Sequence, residues 1–216
     1  MVLLKIEEVS KAFGRKKVLE RVSLKVNQGE IVGLVGNSGV GKSVLIKTLI
    51  GFFMPDFGKI IVESKKKYPI GFSMQENSLY DNLTLRQNLN FFSEIYGIER
   101  KNRKSKIEEV FNFLKLKDYE NVLVKNLSGG TKKRGDIACA FLSDPEILIL
   151  DEPFIGLDPS LAESLVEIIR TANKSGKTFI ISEHRIDILK EICTDFAWLY
   201  NRKLEKINKA DLEYIY

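Results

Sequence analysis

An α/β fold built on a largely parallel β-sheet is what this chain predicts, and three observations predict it. The first is a glycine-rich segment, Gly36-Asn37-Ser38-Gly39-Val40-Gly41-Lys42-Ser43, set between the apolar run Ile31-Val32-Gly33-Leu34-Val35 and a helical stretch from Lys42 to Ile50. The second is another apolar run, Ile147-Leu148-Ile149-Leu150, that ends abruptly in Asp151-Glu152-Pro153. The third is a mostly helical block, residues 84–145, placed between the two. Short, continuous apolar runs suit strands buried on both faces, as parallel strands are.

Taken in order, Leu3 to Val9 and Val18 to Val26 read as strands, the second with Val18, Glu20, Val22, Leu24 and Val26 on one register. After the glycine-rich unit, short strands are expected at Lys59 to Val62 and Ile70 to Phe72. Thr84-Leu85-Arg86-Gln87 has the form of a capping box, and Leu85, Leu89, Phe92 and Tyr96 then recur at helical spacing up to Gly97. Further helices are expected over Lys104 to Leu114 and Ser128 to Leu142, the latter weakened by Gly129, Gly130 and Gly135. Leu161 to Thr171 reads as a helix behind Asp158-Pro159, because proline is tolerated in a first turn. Thr178 to Ile181 is a buried strand, and Phe196 to Tyr200 with Lys203 to Ile207 form a hairpin around Asn201-Arg202. Asn208 is placed to cap a last short helix.

The glycine-rich segment follows the P-loop pattern, Gly, four residues, then Gly-Lys-Ser. Without Cβ atoms its backbone N–H groups can close on phosphate oxygens, and the following helix adds its positive end. Lys42 supplies a mobile charge for the outer phosphates, and the Ser43 hydroxyl suits a Mg2+ ligand. The acid pair completes the chemistry. At the carboxyl edge of a parallel sheet, Asp151 can hold Mg2+ through a bound water, and Glu152 can polarise a water for attack on a γ-phosphate.

The 216 residues, 44% of them hydrophobic, suffice for one sizeable core carrying an inserted subdomain. No apolar stretch approaches the ~18 residues that span a bilayer, and the segment holding Lys5, Glu7 and Glu8 does not read as a secretory signal, so a protein that stays inside the cell is expected. Cys139 and Cys193 lack a CxxC partner and read as packing residues. The formal charge of +5, 34 basic against 29 acidic groups, is mild. Lys65-Lys66-Lys67 and the cluster from Arg100 to Lys106 read as solvated surface, and no nucleic-acid partner is expected. Arg134-Gly135-Asp136 is set aside as an adhesion motif, for it lies in a chain without an export signal.

With these residues in place the chain resembles, over essentially its full length, the ATP-binding subunit of an ABC transporter. Besides the P-loop and acid pair it carries Gln75 in Phe72-Ser73-Met74-Gln75-Glu76, matching the Q-loop; Leu127-Ser128-Gly129-Gly130, matching the signature; Gly156-Leu157-Asp158, matching the D-loop; and His184 at the switch-histidine position. The stretch from Asn77 to Gly97 is most similar to subunits serving ABC-2 type exporters. The resemblance implies a P-loop NTPase (RecA-like) core, residues 1–83 and 146–216, with an antiparallel β subdomain and an inserted helical subdomain, residues 84–145, all in one ATPase domain. It implies ATP and Mg2+ as cofactors, held by Gly36 to Val44, with Ser43, Gln75 and Asp151 toward the metal and Lys42, Gln75, Glu152 and His184 in catalysis. Phe13 stands where the family stacks an aromatic ring on adenine; packing beside Gly14 is the competing reading.

The resemblance further implies two partners. Ser128, Gly129 and Gly130 would contact ATP held by a second ATPase subunit, in the simplest case a homodimer. Transmembrane permease subunits would dock a cytoplasmic helix near Gln75, where Leu79, Tyr80 and Leu83 are apolar residues expected at the surface, with packing under the loop as the competing reading; this would place the protein peripherally on the cytoplasmic face of the membrane. Thr131 replaces a frequent Gln, and Gly135-Asp136 reads as a polar, flexible insertion in the signature helix. Two other classes stay open: a soluble ATPase of this family acting on nucleic acid or the ribosome, and a nucleotide-gated regulatory module with little turnover. A single cassette without heptads speaks against the first, and the presence of Glu152 and His184 against the second.

Overall fold

The computed structural model describes residues 1–212. Two sheets carry the molecule. β1 (Val2–Phe13), β2 (Lys16–Asn27) and β4 (Phe57–Val62) form an antiparallel sheet in the order β2-β1-β4. The second sheet runs β5-β6-β7-β3-β8-β9, from β3 (Ile31–Val35), β5 (Ile70–Ser73), β6 (Ile147–Asp151), β7 (Thr178–Ser182), β8 (Asp195–Tyr200) and β9 (Lys203–Ile207). Every pairing in it is parallel except β8 with β9, whose tight turn at Asn201-Arg202 takes both residues to positive φ.

The apolar runs have the predicted meaning. Along β6, Ile147 and Ile149 face one core with Val32, Leu34 and Ile180, while Leu148 and Leu150 face the other with Phe179 and Ile181. The first core is closed by α1 (Lys42–Leu49) and the antiparallel sheet; the second by α5 (Pro159–Lys174), α6 (Ile186–Ile192) and the helical segment α2 (Leu85–Ile95), α3 (Arg100–Phe113) and α4 (Gly129–Phe141). Thr84 caps α2 with both halves of the capping box in place, and Asp158 caps α5 ahead of Pro159.

Two local expectations change. In β2 the alternation holds only from Val22 onward: Arg21 sits at φ 50°, its N–H donates to Ser10 Oγ, and Leu19 takes the buried side in place of Glu20. That is a β-bulge, in which one extra residue shifts the phase of all that precede it. In α4 the pair Gly135-Asp136 is no flexible insertion, since both residues are buried in a continuous helix. Where a last short helix is expected, Asn208 Oδ1 accepts from the Asp211 N–H, as a cap does, and the helix itself lies outside the described residues. Among the described residues no helix is long and apolar enough to cross a membrane.

Candidate functional site

Strand order decides where the chemistry gathers. β5, β6, β7 and β3 are neighbours and parallel, so the loops leaving their carboxyl ends lie side by side. Those loops carry Gln75, the Asp151-Glu152 pair, His184 and the P-loop respectively, in the crevice where open α/β sheets bind ligands. β7 separates the P-loop strand from the acid-pair strand, which sets His184 between the two. A cleft of about 690 Å³ results, lined by Ser38 to Val44, Gln75, Glu152, His184 and Phe13. Lys16, Lys17 and Arg202 add positive charge at its wall.

Within the loop, Gly36 has φ 148°, and a Cβ there would stand 2.4 Å from the Leu199 carbonyl oxygen, so only glycine lets the chain leave β3 against β8. The buried Lys42 ammonium donates to the carbonyls of Gly36 at 2.6 Å and Asn37 at 3.3 Å, curling the segment around itself. Burial lowers the Lys42 pKa, while the carboxylates of Glu152, Asp151 and Glu183 oppose that shift. No side chain caps α1 at Gly41, so its first N–H groups remain open to an anion.

Glu152 is the focus. Its backbone is forced to φ 49°, an unfavourable conformation for so long a side chain, and is held there by hydrogen bonds from its N–H to the Ser182 carbonyl and hydroxyl. Its carboxylate lies between two polar groups: Gln75 Nε2 donates to Oε2 at 3.1 Å, and His184 Nε2 is 3.0 Å from Oε1. Asp151 accepts from the Ser182 hydroxyl through one oxygen; its other oxygen, Oδ2, is buried without a hydrogen-bond partner. Ser43, Gln75 and Asp151 share a second cleft of about 630 Å³ adjoining the first. One carboxylate, one hydroxyl and one amide form the sparse oxygen set that suits Mg2+, which completes its shell with water and phosphate. Among the described residues no cluster of three or more His, Cys, Asp or Glu could cage a metal.

Several contributors were missed in the sequence. Glu183, almost fully buried, accepts from the backbone N–H groups of His184, Arg185 and Phe154, which fixes the turn that presents the histidine. Its position immediately before His184 and after an apolar strand was the available signal. Lys133 reaches the Met74 and Asp151 carbonyls, and Asp136 grips Ser73 and Ser78. Nothing local announces either.

Ser128, Gly129 and Gly130 stand apart from this cleft. Ser128 caps α4, accepting from the Thr131 N–H at 3.2 Å, and together with Gly129 it is exposed, whereas Gly130 packs against Leu157 and Leu161. Phe13, 44% exposed, meets Phe53 edge-on at 5.1 Å while lining the cleft. Near Gln75 the apolar surface differs from the expected one: Leu79 is buried in the core, Leu83 is half-buried, and only Tyr80 is well exposed, at 51%. Leu79 turns inward because Gly135 leaves room for it on α4. Phe52 and Phe72 are the exposed rings of the second cleft. Both cysteines pack, and burial raises both thiol pKa values.

A lysine-bearing glycine loop between strand and helix, facing an acid pair one strand removed, defines a P-loop nucleoside triphosphatase. Residues 19–155 match the family model described as ABC transporter, and the chain belongs to that family, whose ATP-binding subunits are ATPases. It is 37% identical over 190 residues to ABC transporter G family member 20 of Dictyostelium discoideum, covering 84% of this chain and 26% of that protein. It is 33% identical over 199 residues to the linearmycin resistance ATP-binding protein LnrL of Bacillus subtilis, covering 88% of this chain and 64% of that one, so it spans only part of both relatives. With the probable sulfate/thiosulfate import ATP-binding protein CysA of Chlorella vulgaris it shares 33% identity over 95% of this chain and 90% of that protein. A solved ATP-binding subunit of an ABC transporter superposes with a TM-score of 0.87 at 28% identity, covering 99% of this chain and 92% of that one.

Proposed function

We propose that this chain is the ATP-hydrolysing subunit of a membrane transporter, working on the cytoplasmic face as a pair that closes around ATP. The observation that carries this reading is the Glu152 carboxylate, held between Gln75 and His184 at the mouth of the P-loop cleft. Lys42 and the N–H groups from Ser38 to Ser43 bind the β- and γ-phosphates. Glu152 accepts a proton from the attacking water, while Gln75 and His184 orient it and follow the γ-phosphate. A positioned base of this kind contributes about 10²- to 10⁴-fold in rate. Ser43, Asp151 and Gln75 would hold Mg2+, which neutralises phosphate charge, and the unpartnered Asp151 Oδ2 gives it a place.

Pairing follows from what the cleft leaves out. Ser128 and Gly129 form an exposed helix N-terminus outside the chain's own nucleotide cleft, so they serve the ATP of a second copy. Residues 1–216 then act as one ATPase domain, with the helical segment 84–145 carrying Ser128 to the partner. A transmembrane subunit docks at the cleft beside Gln75, on Phe52, Phe72 and the neighbouring Tyr80; export of the ABC-2 type is the reading for which the text from Asn77 to Gly97 speaks. The testing substitution is Glu152→Gln, which keeps the shape and removes the base. Steady-state hydrolysis should fall at least a hundredfold, by the worth of a general base, while ATP affinity holds. Normal turnover in this variant would remove Glu152 from the reaction.

A further inference from the structure

We propose that Asp136 is a positioning residue for ATP hydrolysis: from the middle of α4 it clasps the segment on both sides of Gln75 and thereby sets the Gln75 amide on Glu152. The proposal rests on the roles given above to Gln75 and Glu152.

Asp136 is 1% exposed, yet it spends both carboxylate oxygens on this one segment. Oδ2 accepts from the Ser73 hydroxyl at 2.5 Å; Oδ1 accepts from the Ser78 N–H at 2.8 Å and the Ser78 hydroxyl at 2.5 Å. Ser73 lies two residues before Gln75 and Ser78 three after it, so the carboxylate closes a small loop with Gln75 at its crest. One helical turn away on the same face, Lys133 donates to the Met74 carbonyl inside that loop and to the Asp151 carbonyl at 3.2 Å. Gln75, thus fixed, reaches Glu152 at 3.1 Å.

Gly135 leaves room for this packing: a Cβ there would stand 2.7 Å from Leu85 Cδ1 and 3.2 Å from Leu79 Cδ1, so a larger residue would require those leucine side chains to shift. A carboxylate this deep is costly to bury unless it is charge-paired and fully bonded. Here three donors and the nearby Lys133 meet the requirement. Burial depresses the Lys133 pKa, and the Asp136 charge is the largest influence opposing that shift. α4 also begins at Ser128, so one rigid helix joins the surface offered to a second subunit to the loop that orients the base. Without Asp136 the Ser78 N–H and both hydroxyls lose a buried acceptor, the loop relaxes, and Gln75 leaves Glu152. The phosphate contacts of Lys42, made from another strand, stay intact.

The test is a double-mutant cycle in the full chain, reading kcat, ATP affinity by calorimetry and thermal stability. Asp136→Ala should lower kcat roughly ten- to a hundredfold, as misplacement of a catalytic group by about an ångström does, with ATP affinity unchanged. Asp136→Asn, which keeps an acceptor for Ser78 and offers an amide to the Ser73 hydroxyl, should recover most of the rate. In a Gln75→Ala background, Asp136→Ala should cost nothing further. An equal loss of kcat in both backgrounds, or ATP affinity falling in step with kcat, would reduce Asp136 to a structural tie and overturn the proposal. Should Asp136→Ala fail to fold, Ser78→Ala, which deletes one hydroxyl, replaces it in the cycle under the same criteria. A Gln75→Ala chain with normal kcat would instead overturn the role of Gln75 itself, and the clasp's purpose with it.

Discussion

At the scale of single residues, the site is governed by where charge is placed out of water. Lys42 is 5% exposed and already coordinated by loop carbonyls, so an incoming phosphate meets an ammonium whose desolvation has been met by folding. Replacing it by alanine removes a charge-assisted contact of about 1.5–3 kcal/mol, roughly a ten- to hundredfold loss of ATP affinity in calorimetry. Unchanged affinity would mean that the glycine loop does not carry the phosphates. Lys42, Asp151 and Glu152 are legible from short strings set at a strand end, whereas Gln75 and His184 are read only through the family resemblance. Asp136 and Lys133 could not be read that way. Their partners lie 58 to 63 residues and 18 to 59 residues away, and only the packing of α4 against β5 and β6 brings them together.

Among the elements, type and order were legible and phase was not. Apolar runs of four or five residues gave the buried strands, and the capping box at Thr84 gave the start of α2, whereas the caps at Ser128 and Asp158 are findings of the structure. The bulge at Arg21 escaped because a residue in the left-handed region leaves no mark on a pattern of alternation. α6, unassigned in the sequence, has seven residues, too few for a helical period to declare itself. The surface near Gln75 was misjudged for a related reason: Leu79 and Tyr80 are adjacent, and which one points inward depends on the space beside Gly135. That outcome sharpens the docking prediction. Tyr80→Asp, at an exposed ring 5.0 Å from Phe91, and Phe52→Asp, at a ring 70% exposed, should spare ATP binding by the isolated subunit but weaken its recovery with membranes bearing the transmembrane partner. Undiminished recovery in both variants would place the partner on another face.

For the whole molecule, one sheet aligns four loops around one cleft, and one helical segment holds the exposed Ser128 helix start away from it. The mild positive charge adds little, since among the described residues Lys66, Arg103 and Lys106 are each engaged with acidic neighbours. The function we propose is that of a machine divided between two copies. In that proposal closure is favoured only when the γ-phosphate meets the P-loop of one copy and Ser128 of the other, a differential contact that hydrolysis removes. The measurement that tests this most directly is light scattering on the Glu152→Gln chain, which holds ATP without spending it. With Mg-ATP it should have the mass of two chains, with Mg-ADP the mass of one, and adding Ser128→Arg should return it to one chain with ATP still bound. A single-chain mass under saturating Mg-ATP, or a dimer indifferent to Ser128→Arg, would contradict the paired site.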